Sequence, residues 1–122
     1  MIALQLNFFD EANEDEKKQT KSLLIRYRRH KNIIAELEKI EELAPKQERA
    51  YNAYLNATLD VERAVRLIID QDIKRAIQMR FIDGIRRKDV VVHYRFLDPS
   101  TVDRRINRGI ESIANTIKVF ES

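Results

Sequence analysis

The chain has 122 residues, 43% of them hydrophobic and 35% charged, with two Gly, two Pro and no Cys. That length suits one compact unit, and the scarcity of Gly and Pro favours helices joined by short connections. The lack of Cys excludes disulfides and thiolate metal sites and fits a reduced cytosolic setting.

The formal net charge of +3 hides an asymmetry. Residues 1–73 hold 12 Lys or Arg against 14 Asp or Glu, whereas residues 74–122 hold 11 against 6. A polyanionic partner is therefore expected for the C-terminal part. Residues Met1 to Leu6 are apolar but lack a basic n-region, and Asp10 and Glu11 follow too soon for a signal-peptide core. No apolar run reaches the length of a membrane span. The expectation is a cytoplasmic protein with no membrane partner.

Asn13 to Ala44 contains neither Gly nor Pro and mixes charged with apolar residues at helical spacing, which predicts one long helix closed by Pro45. Leu23, Tyr27, Ile34 and Leu37 share a stripe on it, with His30 between them. A lone helix would leave that stripe in water, so residues 1–45 are expected to form an oligomerisation segment, a dimer being favoured over folding back on the same chain. Residues 46–122 are expected to form a helical domain. A second helix runs from Lys46 to Ile69 with a bend near Asn56 to Asp60, and a third from Asp70 to Ile82 stops at Gly84.

The most informative stretch is Arg80 to Ile117, inside a helix-turn-helix region of about residues 73–118. Lys88 to Arg95 predicts a short helix with Val90, Val91 and Tyr94 turned inward, followed by a turn through Phe96 and Leu97. Asp98 and Pro99 are a strong helix start, an N-cap acceptor followed by a residue whose missing N–H costs nothing in the first turn. From there Val102, Ile106, Ile110, Ile113 and Ile117 recur every three or four residues and predict a buried face. The polar face carries Ser100, Thr101, Arg104, Asn107 and Arg108, side chains of the kind that read base edges in a major groove. Arg86, Arg87 and Lys88, at the start of the short helix, together with Arg105, are expected on phosphates.

Other chemistry finds little support. His30 and His93 are the only imidazoles and show no metal-ligand spacing, and no phosphate loop, dinucleotide fingerprint or nucleophile elbow is present. Neither a metal, a cofactor nor an enzymatic activity is expected. The reading is an all-α protein that binds double-stranded DNA. Two alternatives stay open: an assembly protein of the small-terminase kind, and a module whose basic corner binds RNA polymerase or a sigma factor.

The segments RFIDG (Arg80–Gly84), KDVVVHY (Lys88–Tyr94) and PSTVDRRINRGIESIA (Pro99–Ala114) resemble sigma-factor region 4. They resemble more closely the ArpU and RinA type of phage late transcription regulator, over about Tyr51 to Phe120. The resemblance implies a phage-encoded, sequence-specific activator at a promoter of a Gram-positive host, with host RNA polymerase as a second partner. It also implies that Ser100, Thr101, Arg104 and Arg105 face DNA while Val102 and Ile106 are buried. The sequence departs from the pattern at Val91, where a small residue is usual, and in a turn that lacks Gly and is about one residue longer. Phe96 or Leu97 is then expected to fill the gap.

Overall fold

The computed structural model describes residues 11–121, and every regular element among them is helical. We number the helices α1 (Glu14–Glu38), α2 (Pro45–Arg66), α3 (Gln71–Ile77, continued by a π-turn over Gln78–Ile82), α4 (Arg87–His93) and α5 (Pro99–Glu121). No helix among the described residues is long and apolar enough to cross a membrane.

Helix α1 starts on a reciprocal cap. The Asn13 side chain accepts from the Glu16 N–H at 2.8 Å, and the Glu16 carboxylate accepts from the Asn13 N–H at 2.9 Å, which satisfies two of the donors that a helix start leaves unpaired. The helix ends at Glu38, short of the expected Ala44. The intervening residues turn the chain so that α2 returns antiparallel along α1, with Tyr51 donating to Glu38 near the turn and Tyr27 donating to Glu62 at 2.5 Å farther along.

That return overturns the premise of the expected oligomerisation stripe. Leu24, Tyr27 and Ile34 are buried in the chain's own core, and Leu23 and Leu37 are half-buried. The covering surface comes from α2 and α5, so Leu23, Tyr27, Ile34 and Leu37 give no ground for a second copy. His30 stacks on Tyr54 with ring centroids 4.5 Å apart, and its pKa is lowered by burial and by Arg26 and Arg29.

Helix α2 has Pro45 in its first turn and runs as one continuous α-helix through Asn56 to Asp60. The Thr58 hydroxyl donates back to the Leu55 carbonyl at 2.9 Å, so this buried polar side chain is satisfied inside the helix. Asp70 then caps α3, accepting from the N–H groups of Asp72 and Ile73 at 2.9 and 3.1 Å. The third helix ends near Gly84 as expected, but its last turn widens into the π form, marked by the Asp83 N–H donating to the Gln78 carbonyl at 2.8 Å. Gly84 has φ +72, a left-handed value that glycine adopts without steric cost. Across the fold, Arg28 of α1 donates to the carbonyls of Ile82 and Asp83 at 3.2 and 2.9 Å and so caps this end.

The core is a single apolar cluster to which all five helices contribute, with Leu24, Val61, Ile77, Val90, Val102 and Ile113 fully buried. Helix α5 lies against α1, α2 and α3, and its start and end are tied separately. The Ala12 N–H donates to the Asn115 side chain at 2.7 Å, and Lys118 donates to the Glu11 carbonyl and to Glu16. Midway along α5, Gly109 permits a close approach of α3. A Cβ built there would stand 2.3 Å from Cγ1 of Ile77 and 2.5 Å from its Cδ1. A mid-helix Gly with open space gains about 1 kcal/mol on replacement by Ala. Here Gly109→Ala is expected to destabilise by about 1–3 kcal/mol through overpacking, measured by urea unfolding. A gain in stability would show that the helices are not in this contact.

Candidate nucleic-acid interface

The expected inner face of α5 is the observed one. Val102, Ile106, Ile110, Ile113 and Ile117 are all buried, and Gly109 and Ala114 join them. The helical period then leaves Ser100, Arg104, Asn107 and Arg108 as one exposed stripe, with Thr101 half-buried at its edge. None of these five side chains makes a hydrogen bond or ion pair with the rest of the described chain. The stripe is therefore a row of donors, two of them guanidinium groups, held outward by an apolar face that cannot rotate without exposing the core.

The connection before α5 is also close to expectation. Helix α4 spans Arg87–His93, with Val90 buried and Val91 and Tyr94 half-buried. Of the two candidates for filling the turn, Leu97 packs against the core while Phe96 is 88% exposed under the Arg95 guanidinium. The start of α5 is secured by the Asp98 carbonyl, which accepts from the N–H groups of Thr101 and Val102 at 2.9 and 3.3 Å.

The cations expected on phosphates stand differently. Arg87 makes a bidentate pair with Asp103, with Nε and Nη2 each 2.7 Å from a carboxylate oxygen. This joins α4 to α5, and the hydrogen bonds from Arg87 hold the Asp103 carboxyl below its ordinary range. Arg86 pairs with Asp89 at 3.3 Å. Arg105 is half-buried, 5.6 Å from the Tyr94 ring centroid and 4.0 Å from Asp72. Lys88 is exposed and makes no ion pair among the described residues. Three of the four groups are thus already engaged by the chain itself, because each has a carboxylate or aromatic ring within reach in the folded state. For Arg87 the partner is sixteen residues away and on another helix.

Two grooves flank the α5 stripe. One is lined by Thr101, Arg104, Arg105 and Arg108 of α5 together with Asp70, Asp72 and Ile73 at the start of α3. The other is lined by Asn107, Ile110 and Glu111 of α5 together with Glu14, Lys17, Lys18 and Lys21 of α1. The second groove was not anticipated from the sequence, where these lysines lie in the half with net negative charge. Among the described residues, no group of three or more His, Asp or Glu side chains is placed to hold a metal ion.

Comparison with protein-family models, curated proteins and solved structures gives no match to this chain.

The Arg87–Asp103 pair gives a pH prediction. Asp103 has a lowered pKa in the folded state, so its contribution is present above the ordinary carboxylate value and is lost as pH falls through the lowered one. Acidification from about pH 5 to about pH 3 is expected to lower the urea midpoint of the intact chain more than that of Asp103→Asn. Equal losses in the two proteins would mean that the pair does not persist in solution.

Proposed function

We propose that this protein binds double-stranded DNA, with the exposed stripe of α5 entering the major groove. One observation carries the reading: Ser100, Arg104, Asn107 and Arg108 project together from a helix whose opposite face is buried, and nothing else in the described chain uses their donors. A major groove admits one helix, and Arg pairs bidentately with guanine and Asn with adenine. The short helix, turn and longer helix of residues 87–121 are consistent with a helix-turn-helix, in which α4 crosses the backbone and α5 reads.

The resemblance of residues 51–120 to the ArpU and RinA type of phage regulator extends the proposal to transcription control. In that reading host RNA polymerase is a second partner. Sequence preference would arise at Arg104, Asn107 and Arg108. Arg87 would act indirectly, by fixing the angle between α4 and α5 through Asp103.

Replacing Arg104 with Ala removes one guanidinium and no core contact. On a preferred duplex this should cost about 1–3 kcal/mol of binding, and on a random duplex far less. Fluorescence anisotropy with the two duplexes at one salt concentration measures both. Equal losses on the two would make Arg104 a backbone contact and contradict base reading by this stripe.

A further inference from the structure

The flanks of the α5 stripe differ in which charges they leave unengaged. On the α1 side, Lys17 is occupied, 3.4 Å from Glu14 and 3.8 Å from Glu111. Its pairing also engages the two carboxylates in that groove. Lys18 and Lys21 make no ion pair and are exposed, and Lys21 lies close enough to Asp103 to favour its charged form. On the α3 side the neighbouring helix brings carboxylates and no cation to the groove. Asp70 is spent on capping α3, and Asp72, 75% exposed, pairs with half-buried Arg105 at 4.0 Å.

A duplex that receives α5 in its groove brings a phosphate strand past each side of the helix. Free ammonium groups on α1 attract one strand, whereas α3 offers the other strand no cation. We propose that Lys18 and Lys21 of α1 hold the phosphate backbone beside the α5 stripe, so that the DNA-contacting surface is built from α1 and α5 together and leans toward α1. The inference rests on the reading of α5 as the groove-entering helix and adds to it a second contacting element, from the other end of the described chain. It also supplies the backbone contacts that Arg86, Arg87 and Arg105 are poorly placed to make. Lysine suits the task, because a flexible point charge needs no fixed geometry to neutralise a phosphate.

The test uses the full chain, a fluorescent random-sequence duplex and a salt titration. Each phosphate contact contributes about −0.9 to the slope of log affinity against log salt. The double variant Lys18→Gln, Lys21→Gln should therefore have a slope shallower by about two, and at low salt it should bind random duplex at least several-fold more weakly. Lys39→Gln with Lys46→Gln removes the same charge at the far end of the α1–α2 hairpin and should leave the slope nearly unchanged. All four lysines are exposed, so each variant should keep the helical circular dichroism of the intact chain.

An unchanged slope in Lys18→Gln, Lys21→Gln, while Arg104→Ala still lowers affinity for a preferred duplex, would overturn this inference and leave the α5 reading standing. Equal losses in the two double variants would reduce it to general charge attraction and overturn it as well. An intact chain that binds no duplex at low salt would overturn both.

Discussion

The close contact between Gly109 of α5 and Ile77 of α3 governs how the rest of the molecule is arranged. With a hydrogen in place of a side chain at residue 109, α5 settles deeply enough for Val102, Ile106, Ile110, Ile113 and Ile117 to share one core with α1, α2 and α3. Burial of aliphatic side chains of this size is worth about 1.5–3 kcal/mol each. Rotating α5 about its axis would forfeit several such contacts at once, so the direction of its polar face follows from its apolar one. The stripe from Ser100 to Arg108 is thereby held outward by packing, without polar contacts of its own. That is the condition under which an exposed row of donors can be rigid and still available to a ligand.

Charge is arranged around this fixed helix in two ways. Some cations are committed to structure: Arg28 caps the end of the π-turn, Arg87 joins α4 to α5, and Lys118 ties α5 to the entry of α1. Others, Lys18, Lys88, Arg104 and Arg108, project without an ion pair among the described residues. Sorting the cations in this way makes the C-terminal excess of positive charge less informative than it looks in the sequence. Part of it is consumed internally, while free lysines from the acidic half stand beside α5. An electrostatic surface belongs to the fold and need not follow the division of the chain into halves.

Features fixed within a few residues were legible in the sequence. The buried face of α5, the beginning of α3 near Asp70, the stop at Gly84 and the start at Pro99 each depend on local periodicity or on a single residue's backbone preference. Features that join distant segments were not. Nothing in residues 39–44 breaks a helix, so the early end of α1 came from the pairing of α1 with α2, and with it the burial of Tyr27 and Ile34 inside one chain. The Arg87–Asp103 pair and the nearness of Lys18 and Lys21 to Asn107 also depend on tertiary placement. The π-turn buries Met79 and Phe81, and neither residue announces it.

Repeated selection from a pool of random duplexes, using the intact chain at moderate salt, tests most directly whether α5 presents the base-reading surface proposed for it, because it assumes no operator. With base reading by α5, the recovered duplexes converge on a short shared motif whose enrichment is lost when Arg104 is replaced by Ala. Firm retention of duplexes with no shared motif would contradict base reading, and a pool left unretained even at low salt would contradict DNA binding altogether.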